Sequence, residues 1–257
     1  MTRFRPDSVL ITGATGGIGS ALAEVYARPG IKLILQGRNE ARLTEVASRC
    51  QALGAVVQTR ALDLRDQSAL TAWLGEVGSQ MPLDLVIANA GVNTNIGPDG
   101  AGERWEKVKE LLEVNVMATL AMVDAVLPAM RKRGRGQIAI ISSLAAYYGL
   151  PMTPSYSASK AALKAYGEAI RSWLAPEGIR VNVVMPGYVE SQMCRDFPGP
   201  KPFLWPADKA ARAIKRGLEK NKPRISFPFP LNLGSWFLSV LPPSVSERLL
   251  VLFNYRG

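Results

Sequence analysis

TGATGGIG, Thr12 to Gly19, lies between an apolar run and a helical one. The run before it, SVLITG (8–13), reads as a buried strand, and IGSALAEVYA (18–27) after it carries helical spacing. Glycines at 13, 17 and 19 allow a tight turn, close approach of backbone to a phosphate, and close packing of helix on sheet. The helix that opens here offers unpaired N–H groups and the positive end of its dipole to a pyrophosphate. Gly13, Thr15, Gly17, Ile18 and Gly19 are therefore candidate cofactor-binding positions. A glycine-rich turn alone is a weak signal. Between a strand and a helix, inside a repeating β-α pattern, it becomes a strong one.

Working outward, KLILQG (32–37), AVVQTRAL (55–62), LDLVIANAG (83–91), GQIAIISS (136–143) and IRVNVVMPG (179–187) read as further strands. Helical patterns cover 39–53, 66–77, a long region over 103–133, and 154–174. Strands separated by helices of this length form a parallel sheet covered on both faces. The predicted fold class is α/β, a doubly wound parallel sheet with right-handed crossovers. No repeat, low-complexity tract or linker divides the chain, so residues 1–257 read as a single domain.

Composition narrows the chemistry. The 257 residues contain no histidine, which removes Ser–His and Cys–His pairs and any imidazole metal site. Cys50 and Cys194 form no C-x-x-C, so neither a disulfide framework nor a metal site is expected, and a reducing cytoplasm is the simplest compartment. Residues 1–16 lack the long apolar region of a signal peptide. The net charge of +10 admits nucleic acid, an anionic membrane surface or an acidic cofactor as partner. The basic clusters at 131–135 and 215–224 are not interleaved with aromatics and match no nucleic-acid motif, so no nucleic-acid role is expected.

SYSASK (155–160) places Tyr156 and Lys160 four residues apart, on one face of a helix. An ammonium near a phenol favours the phenolate, so such a tyrosine can exchange a proton near neutral pH. On this hexapeptide alone a solvated helical face is the better reading. Thr153 and Pro154 give the helix a start signal at N-cap and N1. Leu163, Tyr166, Ile170 and Leu174 form one apolar stripe, and Ala158, Ala162, Ala165 and Ala169 a second, small-residue face. Two packing faces imply burial or an oligomer contact.

The spacing T-G-x-x-x-G-x-G over 12–19 resembles the short-chain dehydrogenase/reductase family, and the resemblance runs to about residue 225. It takes in Asp63-Leu64, which by resemblance lie at the adenine pocket, and Asn89-Ala90-Gly91 after the fourth strand. Asn115, Ser143, Tyr156 and Lys160 match the family's catalytic set. PGYVES (186–191) resembles P-G-x-V-x-T and adds Pro186, Gly187 and Val189 to the cofactor positions. The resemblance implies a Rossmann-type sheet of about seven strands, a carbonyl reductase or alcohol dehydrogenase, and a homodimer or homotetramer. Tyr156 would donate a proton to the substrate carbonyl, and Lys160 would hold the nicotinamide ribose and lower the Tyr156 pKa. Ser143 would fix the substrate oxygen, with Ser142 as the rival serine. Asn115 would support a water of a proton relay; its plain alternative is a cap or kink in a long helix. A non-catalytic nucleotide-binding sensor or scaffold is the alternative function.

An acidic residue after the second strand would meet the ribose hydroxyls of NAD. LQGRN has Gly37 and Arg38 there instead, and an arginine fork suits a 2′-phosphate, so NADP(H) is the expected cofactor. The segment 191–205 is expected to cover the substrate site as a mobile lid, and a basic helix to follow with Pro206 at N1. The apolar C-terminal extension, 225–257, includes Leu231, Leu233, Leu238, Val240, Leu241, Leu249, Leu250, Leu252 and Trp236. Pro242-Pro243 interrupt it, so it is not expected to span a membrane. Packing on the core or another subunit is the preferred reading. A membrane- or lipid-facing patch is the other, and would favour a lipidic substrate such as a long-chain 3-keto compound.

Overall fold

All four residues of β1 (Ser8–Ile11) are buried, because helices cover both faces of a central parallel strand. The computed structural model describes residues 4–253 apart from 98 and 198. β1 pairs in parallel with β2 (Lys32–Gly37) on one side and β4 (Leu85–Ala88) on the other. β3 (Val56–Ala61) extends the β2 edge, and β5 (Gly136–Ile141), β6 (Ile179–Pro186) and β7 (Arg224–Phe227) follow β4. The order is 3-2-1-4-5-6-7, all parallel. Chain direction across the sheet reverses between β1 and β4, and the crevice beyond that switch point is where open α/β sheets take ligands.

Side-chain alternation along β1 and β2 divides the core into two layers. Val9, Ile11, Leu33 and Leu35 pack with α1 (Gly17–Tyr26), α2 (Glu40–Ala52) and α8 (Ala207–Glu219). Leu10 and Ile34 pack with α3 (Gln67–Gln80), α5 (Ala118–Arg133) and α6 (Pro154–Leu174). The remaining helices are α4 (Trp105–Leu112), the short α7 (Gln192–Arg195), α9 (Leu231–Val240) and α10 (Pro243–Leu252).

The structure corrects several boundaries. β1 stops at Ile11 and β4 at Ala88, because the chain leaves the ladder to build the site. The seventh strand is RISF, four residues between Pro223 and Pro228 inside the region read as an apolar extension. The long helix is interrupted: α4 and α5 are joined by a π-helical turn, Glu113–Met117. Pro206 is the N-cap of α8, not its N1 residue. The basic cluster at 131–135 is engaged within the fold, with Arg131 paired to Glu177 at 2.6 Å and Arg133 donating to the Leu83 carbonyl at 2.8 Å. Trp105–Arg133 is long and apolar enough to cross a membrane by composition, yet half of its most apolar window is buried in the protein.

Candidate active site

At the crevice, the first turn of α1 carries Gly17, Ile18 and Gly19. Gly16 at its N-cap supplies no side-chain hydrogen bond, so the N–H groups of that turn stay open to an anion. A Cβ on Gly19 would stand 2.2 Å from the Gly13 carbonyl oxygen, and one on Gly17 2.3 Å from that of Glu190. Both positions require glycine because backbone passes there. The Asn89 side chain braces this turn, donating to the carbonyls of Thr12 at 2.9 Å and Gly13 at 3.2 Å. Thr12 Oγ1 in turn accepts from the N–H groups of Asn89 and Ala90, both at 3.1 Å.

A cavity of about 1950 Å³ runs from this turn across the crevice to the C-terminal helices. Thr15, Arg38, Asp63 and Leu64 line one end of it, and Ala90, Gly91, Pro186, Gly187 and Val189 also line it. Arg38 is 3.5 Å from Glu110 of α4, and Arg42, also at this end, was not foreseen from the sequence. Hydrogen bonds from Arg65 hold the Asp63 carboxyl below the usual carboxylate range.

The catalytic candidates meet where the crevice widens. Tyr156 and Lys160 project from one face of α6, with Lys160 Nζ 5.6 Å from the Tyr156 ring centroid. Lys160 is buried and donates to the Ile141 carbonyl at 2.9 Å. Burial lowers its pKa to about 8. Burial also raises the Tyr156 pKa, and a Ser143 hydrogen bond opposes that rise only in part. Lys160 is not among the groups that set this direction, and the part it plays in proton transfer belongs to the proposed function. Both serines border the cavity, but the Ser142 hydroxyl is buried and committed to the Lys160 carbonyl at 2.7 Å.

Asn115 is fully buried in the π-helical turn. Its Oδ1 accepts from the Val92 N–H at 2.8 Å, and its Nδ2 donates to the Val92 carbonyl at 3.0 Å and to Ser159 Oγ at 3.1 Å. The side chain is thus committed to fixing the segment after β4. A Cβ on Gly91 would be 3.2 Å from Asn115 Oδ1 and 3.4 Å from Lys160 Nζ, so the three residues converge.

A sequence profile described as short chain dehydrogenase matches residues 7–199. An uncharacterized oxidoreductase of Myxococcus xanthus is 35% identical over 247 residues, covering 94% of this chain and 95% of that one. Ketoacyl reductase HetN of a Nostoc species is 31% identical over 190 residues, covering 74% of this chain and 66% of its own. Among solved structures, a short-chain dehydrogenase from Sphingobium yanoikuyae in complex with NADPH superposes with a TM-score of 0.80. It is 26% identical, with 95% of each chain covered. The chain belongs to the short-chain dehydrogenase family.

This short-chain dehydrogenase is an NAD(P)-dependent oxidoreductase, and the C-terminal part of the chain forms the remaining walls of its cavity. The segment 191–205 lies over the cavity, but its base is stapled. Val189 bridges Trp205, Glu190 N donates to the Trp205 carbonyl, and Trp205 N donates to that of Tyr188, both at 3.0 Å. Trp205 stacks on Phe227 with centroids 5.0 Å apart. Leu231, Leu233, Trp236 and Phe237 of α9, with Leu249 and Leu250 of α10, roof the chamber. Of the large C-terminal side chains singled out above, Leu250 is buried, Leu231 packs against Leu144, Val183 and Met185, and Leu233, Trp236, Val240 and Leu252 are exposed, so the segment packs on the core along one side only. Residues 254–257 of that extension lie outside the described residues.

Two supports escaped the sequence. Buried Gln36 accepts from Gly13 N at 3.1 Å and donates to the Leu62 carbonyl at 2.6 Å, pinning the glycine-rich turn. Thr153 sits at the N-cap of α6 without a side-chain capping bond. Glu103 caps the helix instead, accepting from Ser155 N at 3.0 Å and Ser155 Oγ at 2.5 Å. Nothing in the local pattern around either residue announces these long-range contacts.

Proposed function

We propose that this enzyme is an NADPH-dependent carbonyl reductase acting on apolar ketones, long-chain 3-keto compounds among them. The observation that carries the reading is Tyr156 beside Ser143, where a glycine-lined crevice meets a chamber roofed by α9 and α10. Gly17, Ile18 and Gly19 would hold the pyrophosphate, Arg38 the 2′-phosphate, and Lys160 the nicotinamide ribose. The bound cofactor supplies the hydride. The substrate oxygen then accepts a hydrogen bond from Ser143 and a proton from Tyr156, converting ketone to alcohol with one hydride and one proton consumed. A phenol kept neutral by burial suits proton donation, hence the reductive direction. The ketoacyl substrate named for HetN and the NADPH bound by the Sphingobium enzyme support the same choice.

NADPH oxidation followed by absorbance against sugars, small diketones, steroids and long-chain 3-ketones tests this. Turnover is expected with the apolar members and NADPH, and much less with NADH. Activity confined to sugars or small polar carbonyls would overturn the substrate class. The exposed face Ala158, Ala162, Ala165 and Ala169, with Trp173 and Met117 also exposed, supports a homo-oligomer.

Lys160 gives this reading a pH dependence. With a pKa near 8 in the free protein, Lys160 is charged below that pH and must take up a proton above it to meet an anionic cofactor. Affinity for NADPH is expected to fall as pH rises through 8, approaching about tenfold per unit. Fluorescence titration of wild type and Lys160→Met checks this. The variant should bind more weakly and without that slope. A wild-type affinity flat between neutral and alkaline pH would refute it.

A further inference from the structure

α9 carries no charged residue, and none of its ten residues is buried. Leu233, Trp236, Phe237 and Val240 are 43–55% exposed on it. Ser246 Oγ donates to the Leu238 carbonyl at 2.8 Å, which ties α10 to α9 as a hairpin. α10 adds exposed Val251, Leu252 and Phe253, and the lid adds Phe203 and Leu204. Large apolar side chains exposed together on one hairpin mark a surface that meets a partner or a lipid.

Its position is informative. Phe203, Leu233, Trp236, Phe237 and Phe253 are exposed outside and also line the cavity. The patch is therefore the rim of the chamber mouth. Arg195 and Lys201 stand on the same rim. Over 191–253 there are ten Lys and Arg against four Asp and Glu. Arg212 and Arg224 pair with Asp208 and Glu168 and Lys215 with the Val25 carbonyl, so Arg195 and Lys201 are the cations that stand at the chamber. Apolar side chains flanked by excess positive charge match an anionic lipid surface. A second copy seated on the same rim would stop the mouth of its own chamber.

We infer that the α9–α10 hairpin and the Phe203–Leu204 tip dock on an anionic membrane surface, with the chamber mouth facing the lipid so that substrate enters from it. The docking stands on exposure and charge; only the entry of substrate rests on the proposed function.

The test is co-sedimentation of the full chain with vesicles of phosphatidylcholine mixed with phosphatidylglycerol, and with phosphatidylcholine alone. Val240→Asp/Leu252→Asp is run beside it, because both side chains are exposed and neither lines the cavity. Binding to the mixed vesicles is expected, weakened by salt, and reduced about tenfold or more in the variant. Turnover of a soluble ketone should be unchanged in that variant. Should it fold poorly, brominated lipid supplies a second readout: quenching of wild-type tryptophan fluorescence that Trp236→Phe diminishes. No sedimentation and no quenching would overturn the docking, as would a variant that dissociates an oligomer while wild type ignores lipid. Sedimentation needs no turnover. Wild type that reduces ketones but does not sediment with vesicles therefore refutes the docking alone, and wild type that sediments but reduces no ketone refutes only the proposed reaction.

Discussion

Tyr156→Phe is expected to remove ketone reduction while cofactor affinity stays at the wild-type level. Phenylalanine keeps the ring, and with it the packing of the first turns of α6 beside Lys160. Only the hydroxyl that meets Ser143 is lost. Positioned proton donors contribute about 10²–10⁴-fold to rate, and nothing near the phenol can replace this one. Lys160 is tied to the Ile141 carbonyl, and the Cys194 thiol is itself pushed up in pKa by burial. Single-turnover NADPH oxidation measures the chemical step, and a fluorescence titration of the same variant measures binding. Turnover within about tenfold of wild type would remove Tyr156 from the role of acid.

The residues differ in how far their place could be read beforehand. TGATGGIG was legible because strand, turn and helix each leave a local pattern, and the three agree. The parallel sense of the sheet followed from the length of the crossovers. RISF was not legible as β7: four residues between prolines carry too little alternation to separate a strand from a tail. The π-helical turn at Asn115 leaves no periodic mark either, so that residue stood out only by resemblance. Gln36 is a polar residue in an apolar strand, and its two partners lie 23 and 26 residues away. For α9 the sequence shows how apolar the helix is, but exposure depends on what packs over it. α10 and the Leu144 cluster cover one side of it, and Leu233, Trp236, Phe237 and Val240 stay exposed on the other. Tyr156 and Lys160 were legible as a pair, yet the pKa of the phenol was not. Its direction depends first on burial, which a hexapeptide pattern does not reveal.

Arg38→Asp is expected to reverse the choice of cofactor. Arg38 stands at the end of β2, where a carboxylate would meet the ribose hydroxyls of NADH and repel a 2′-phosphate. Hydrogen bonds between charged groups contribute about 1.5–3 kcal/mol, so loss of the guanidinium alone costs NADPH roughly 10–100-fold in kcat/KM. Repulsion from the new carboxylate adds to this, while NADH gains a partner for its hydroxyls. The NADPH-to-NADH ratio of kcat/KM should fall by about two to three orders of magnitude. Arg42 tempers the loss, since it lines the same end of the cavity and keeps one cation near the phosphate. Glu110 acts in the opposite sense: it now lies 3.5 Å from Arg38 and would be left facing a second acid. Arg38→Ala separates these effects, because it removes the fork without adding a charge and should weaken NADPH while leaving NADH nearly unchanged. Steady-state kinetics with both cofactors on all three proteins decides it. Equal losses for NADPH and NADH would show that Arg38 supports the end of β2 instead of reading the phosphate.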